Sequence, residues 1–109
     1  MNIQAKLRPI DWIEDSRHGY ANGYIGVPPE HPWFNLDYAD IVVDVHGGLT
    51  YSEKNLPGYD PDGLWWLGFD TAHSSDTLES CPKSYCEAQL ASLLQQAQLA
   101  AGEPTTNTL

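Results

Sequence analysis

The stretch Leu64-Trp65-Trp66-Leu67-Gly68-Phe69-Asp70 reads as a strand. In an extended chain Trp65, Leu67 and Phe69 fall on one face, and Leu64, Trp66, Gly68 and Asp70 on the other. After an irregular segment from Thr71 to Lys83 the period changes. Cys86, Leu90, Leu93, Leu94, Ala97 and Ala101 recur at helical spacing, which predicts one apolar stripe on a helix from about Ser84 to Ala101. Ser84 and Glu87 form an S-x-x-E capping box at its start, each side chain able to satisfy a first-turn N–H. Gly102 suits the C-terminal cap, and Pro104 prevents continuation. Together these elements predict an α+β fold, a small, mainly antiparallel sheet with one C-terminal amphipathic helix packed on it.

Upstream, Ile41 to His46 also alternates. Ile41, Val43 and Val45 point one way, and Val42, Asp44 and His46 the other, so this segment is expected to be a strand. Gly47-Gly48 allows a sharp bend, and Leu49 to Ser52 is expected to pair across it. Glu53 to Gly63, rich in Pro, Gly, Asn and Asp, reads as an exposed loop. Nearer the N-terminus, Ile10 to Arg17 and Tyr20 to Val27 are expected to form a hairpin turning at His18-Gly19. Glycines at 19, 23 and 26 weigh against regular strands there. Pro28, Pro29 and Pro32 must take the chain out of the sheet.

The chain's 109 residues fit one domain. Residues 1–102 are assigned to it and 103–109 to a flexible tail. No apolar run approaches the length needed to cross a bilayer, and no leader-like segment opens the chain. The expectation is therefore a cytoplasmic protein without membrane contact. Cys81 and Cys86 are expected to be reduced thiols, since a bridge between them would close only a tiny loop.

The net charge is -10. No Lys or Arg occurs from His18 to Glu53, nor again from Asn55 to Pro82. Such surfaces repel phosphate backbones, so no direct nucleic-acid binding is expected. The acids can serve solubility, hold a divalent cation, or face a basic partner. For the last role the candidate surface is Asp37, Asp40, Asp60 and Asp62.

Two clusters carry the chemistry. In Asp44-Val45-His46-Gly47-Gly48, polar residues end an apolar run beside glycines that permit close approach. In Asp70-Thr71-Ala72-His73-Ser74-Ser75-Asp76, a turn after a strand brings acids and an imidazole together. His46, Asp70, His73 and Asp76 form a donor set suited to a divalent metal or to acid–base work. The alternative is structural, with Asp70 and the serines capping a turn around a hydrogen-bonded His73. His31 and Trp33, on the proline loop, serve either as a docking contact or as cover for the sheet. No phosphate loop, nucleophile elbow or dinucleotide fingerprint is present.

The strings Gly23-Tyr24-Ile25-Gly26-Val27-Pro28, His31-Pro32-Trp33, Val45-His46-Gly47-Gly48-Leu49-Thr50-Tyr51-Ser52 and Trp66-Leu67-Gly68-Phe69-Asp70-Thr71-Ala72-His73, with Asp76, carry a resemblance. In that order they resemble a family of small proteins encoded by tailed phages and bacterial prophages, over about Tyr20 to Leu94. The family has no settled biochemical activity, so the resemblance transfers no catalytic residues. Many similar sequences have Cys at the position of Thr71. What the resemblance implies is an accessory protein acting in the infected bacterial cell. Such a protein would bind and modulate a host or defence component, its acidic surface standing in for nucleic acid. The alternative expectation is a metal-dependent hydrolase or small-ligand-binding protein using the His/Asp pocket.

Overall fold

The computed structural model describes residues 1–11 and 17–104. Among these residues four strands form one antiparallel sheet: β1 (Gln4–Pro9), β2 (Ala21–Val27), β3 (Tyr51–Lys54) and β4 (Trp65–Phe69), in the order β1-β2-β4-β3. Among the described residues one α-helix, α1 (Lys83–Ala100), packs against β2 and β1. The α+β architecture is the one expected.

The alternation in β4 sorts its side chains. Leu67 and Phe69 enter a buried cluster with Ile25 and Val27 of β2 and Leu90, Leu93 and Ala97 of α1, against which Trp65 packs. Trp66 enters a second cluster with Leu56 and Leu64, against which Tyr24 and Tyr51 pack. The loop after β3 thus covers the sheet face that the helix does not. Two of the glycines that weighed against regular strands, Gly23 and Gly26, are explained by their cross-strand partners, as is Gly68 of β4. Gly23 pairs with Phe69, Gly26 with Trp66, and Gly68 with Tyr24. At each glycine an added Cβ would lie within 2.7 Å of the partner's ring. The aromatic side chains occupy the room that the missing Cβ leaves.

The N-terminal hairpin exists, but its first strand is β1, upstream of the expected Ile10–Arg17; Trp12–Ser16 lie outside the described residues. Pairing runs from Gln4↔Gly26 to Pro9↔Ala21 and is extended by Ile10 N–H to Tyr20 O at 2.9 Å. Strand propensity misses β1 because it is an edge, where Lys6, Arg8 and Pro9 are at home.

Ile41–His46 is not a strand. Its alternation holds, with Ile41 and Val45 buried in the core and Val42 99% exposed. Its backbone, however, lies along α1, where glutamine side chains take the place of a neighbouring strand. Gln96 accepts from Asp44 N–H and donates to Asp44 C=O, both at 2.8 Å, and Gln89 accepts from His46 N–H at 2.8 Å. Strand pairing begins only at β3.

The capping box is not used. Pro82 is the N-cap, with no side-chain bond, and its carbonyl takes Cys86 N–H at 3.1 Å. The chain is already fixed before Ser84. Thr77 and Ser80 bond each other's backbone N–H at 3.0 Å, and Cys81 bonds through N–H to Thr77 O and through C=O to Tyr20 N–H. At the other end, Gly102 at φ +74° lets its own N–H reach Leu99 O and Glu103 N–H reach Gln98 O, a Schellman motif.

A candidate metal centre at His46, His73 and Asp76

Asp76 is the centre of the site. It is 3% exposed and comes from the irregular segment between β4 and α1. One carboxylate oxygen meets His46 Nε2 at 2.9 Å. The other accepts from His73 Nδ1 at 2.8 Å and from His73 backbone N–H at 2.9 Å. Burial works to raise the Asp76 carboxyl, but the His73 backbone and ring N–H groups and the His46 imidazole outweigh it and hold the carboxyl below its ordinary value. An ionised carboxylate only accepts, so His46 Nε2 and His73 Nδ1 carry the protons in these contacts.

His46 is positioned from three sides. Its backbone is tied to Gln89, its Nε2 to Asp76, and its Nδ1 to the Tyr85 hydroxyl at 2.8 Å. Burial, with Cys81 and Asp76 nearby, pushes the Tyr85 hydroxyl up, which keeps its proton on. The Tyr85 ring stands edge-on to the imidazole, centroids 5.4 Å apart. His73 is half-exposed, its ring 5.6 Å from that of His46. It packs on Gly47, whose φ is +67° and where a Cβ would lie 2.5 Å from His73 Cε1. The close approach that the double glycine allows is therefore that of an imidazole.

Among the described residues, donor atoms of His46, His73 and Asp76 all lie within 4.8 Å of one another. Asp70 stands at the edge of this group. Its Oδ1 is 3.6 Å from His73 Nδ1 and caps Ala72 N–H at 3.0 Å, while Oδ2 accepts from Thr50 Oγ1 at 2.8 Å. Trp66 does not wall this pocket; it lies with Leu56 and Leu64 on the opposite face of the sheet. Tyr85 and Cys81 take that place. Cys81 Sγ is 3.7 Å from Asp76 Oδ1 and 3.9 Å from His46 Nε2. Sequence spacing offered one signal for Cys81, a third donor type in the segment that carries His73 and Asp76. Tyr85 had none, because its partner comes from another part of the chain.

The remaining candidate residues have separate places. His31 is buried; its Nδ1 accepts from Trp33 N–H at 2.9 Å, so Nε2 donates to Ala97 C=O at 2.8 Å and ties the proline loop to α1. Trp33 packs on the main core. Asp37 caps the short 3-10 turn Tyr38–Asp40 through Ala39 N–H. Asp62 accepts from Leu64 N–H and Trp66 Nε1. Asp40 and Asp60 are exposed. A cleft of about 470 Å³ lined by Arg8, Pro9, Asp11 and Tyr24 includes none of the His/Asp group.

No helix among the described residues is long and apolar enough to cross a membrane. No protein-family model, curated protein or solved structure matches this chain. The site is therefore read from its own geometry.

Proposed function

We propose that this chain is a cation-binding protein whose His46, His73 and Asp76 hold a divalent metal ion. The observation that carries this is Asp76, a buried carboxylate lying between two imidazoles from distant parts of the sequence. A buried carboxylate is costly unless compensated, and here both compensating groups are themselves metal-ligand types. Zn²⁺ or Mn²⁺ titrated into the protein should raise its thermal midpoint, and a chelator should reverse the rise. His46→Ala and His73→Ala should each abolish the response. If calorimetry and melting show no response to Zn²⁺, Mn²⁺ or Mg²⁺ in the unmutated protein, the proposal fails and the group is a hydrogen-bond network.

At the level of the whole protein we infer an accessory role exercised through binding, in line with the resemblance to phage-encoded proteins. The supporting observation is a surface on which exposed Leu36, Tyr38 and Val42 alternate with Asp37, Asp40 and Asp44, far from any Lys or Arg in sequence. Its partner would be a host or defence protein with a basic face. Association should slow as salt rises and slow again on neutralising Asp37 and Asp40. Kinetics indifferent to both changes would remove charge as the recognition principle.

A further inference from the structure

Cys81 has the geometry of a ligand. Its Sγ, Asp76 Oδ1 and His46 Nε2 form a triangle with edges of 3.7, 3.9 and 2.9 Å. Zn–S bonds of about 2.3 Å and Zn–N or Zn–O bonds of about 2.0–2.1 Å set tetrahedral edges of about 3.5 Å to sulfur and about 3.3 Å between the lighter atoms. The observed triangle matches one face of that tetrahedron to within about half an ångström. His73 Nδ1 lies 2.8 Å from the other Asp76 oxygen, outside this triangle, and its half-exposed ring would have to swing toward Cys81 to supply the fourth donor. The sulfur is also held in place. Cys81 is 1% exposed, and both its backbone N–H and its C=O are bonded, to Thr77 and Tyr20. The Tyr85 hydroxyl on His46 Nδ1 is the outer partner that a ligating imidazole requires to fix its ring.

We infer that Cys81 completes a closed His46–His73–Asp76–Cys81 site selective for zinc, and that the ion is a structural staple and not a reaction centre. This rests on the cation-binding reading above and narrows it. A thiolate among the donors favours zinc over magnesium or manganese, and four protein ligands leave no position for substrate. Binding releases the Cys81 S–H proton to solvent as the Zn–S bond forms. The His46 proton moves to Nδ1, where it donates to the Tyr85 oxygen, and the His73 proton moves to Nε2. The ion would tie residues 73–81, which contain no helix or strand, to the segment ending at His46. A segment held mainly by polar contacts is where a metal contributes most to order.

The test is Co²⁺ substitution in the full chain under reducing conditions. Thiolate ligation predicts a sulfur-to-cobalt charge-transfer absorption in the near ultraviolet and the strong visible bands of a tetrahedral site. Cys81→Ser should remove the charge-transfer band and weaken Zn²⁺ by more than the roughly 10- to 100-fold that outer partners command. Cys86→Ser should leave both intact. The band is read on the unmutated protein, so the test holds even if Cys81→Ser folds poorly. Suppose cobalt binds without the band, Cys81→Ser keeps full Zn²⁺ affinity, and His46→Ala and His73→Ala still lose it. Cys81 is then no ligand, and the open three-residue site stands alone. Absence of any metal binding overturns both readings.

Discussion

Ile41–His46 and Trp65–Phe69 look alike in sequence and end up in different structures. Both alternate, and both send alternate residues into the same core. Trp65–Phe69 is β4, paired on both sides, by β2 and by β3. Among the described residues Ile41–His46 has no strand beside it, and its backbone is tied instead to Gln89 and Gln96 of α1. Even their outward positions differ, since Trp66 is covered by the loop after β3 while Val42 is bare. Alternation reports an extended backbone with one buried face; it does not report what pairs with that backbone.

The largest effect should come from the shared core, where the two regions behave alike. Phe69→Ala should cost about 3–5 kcal/mol and Leu93→Ala about 2–5 kcal/mol, measured by denaturant unfolding. Phe69 and Leu93 are both fully buried. A loss below about 0.5 kcal/mol at Leu93, within the range of ordinary surface changes, would mean that the helix stripe faces something other than the sheet.

Next come the glycines that end the clamped segment. Gly47 and Gly48 both have positive φ, so alanine at either carries backbone strain of about 1–2 kcal/mol. Only at Gly47 does the new Cβ meet His73, whereas at Gly48 it meets open space. Gly47→Ala should therefore lose metal response as well as stability, and Gly48→Ala stability alone. Equal metal response in the two variants would show that His73 does not need its seat on Gly47.

The glutamine clamps are a milder break. Gln96→Ala and Gln89→Ala should each cost about 0.5–1.5 kcal/mol, the net worth of ordinary hydrogen bonds. Hydrogen exchange sharpens the contrast. The amides of Asp44 and His46 should lose protection in these variants while those of β4 keep theirs. If the two sets already exchange together in the unmutated protein, the clamped segment is as integral to the fold as the strand.

Acid should also separate the two regions. The folded Asp76 carboxyl titrates below its ordinary value of 3.8, so its contribution is complete above that value and fades as pH falls through the folded one. The contact with His46 should open there before β4 does. Asp76→Asn should flatten the dependence of melting temperature on pH in the acid range; an unchanged slope would assign that dependence to other carboxylates. The smallest effect is expected at Val42, where Val42→Ser should change stability by less than about 0.5 kcal/mol.

The sequence by itself determined the period of each apolar pattern. That was enough to predict β4, β2, the helix stripe and the α+β class, because burial of one face is written directly into residue order. It also gathered His46, His73 and Asp76 as donors, since each sits beside a turn or glycine that leaves it no place in an apolar stripe. Only the tertiary structure decided the partners. It tied residues 41–46 to helix glutamines, placed β1 on an edge where charged residues suffice, started the helix at Pro82, and set Asp70 aside as a turn cap. It also brought Cys81 and Tyr85 to the imidazole of His46. The physical reason is that hydrogen-bond partners and ligand atoms are chosen by distance after the core has packed, and no local period encodes a contact between residues dozens of positions apart.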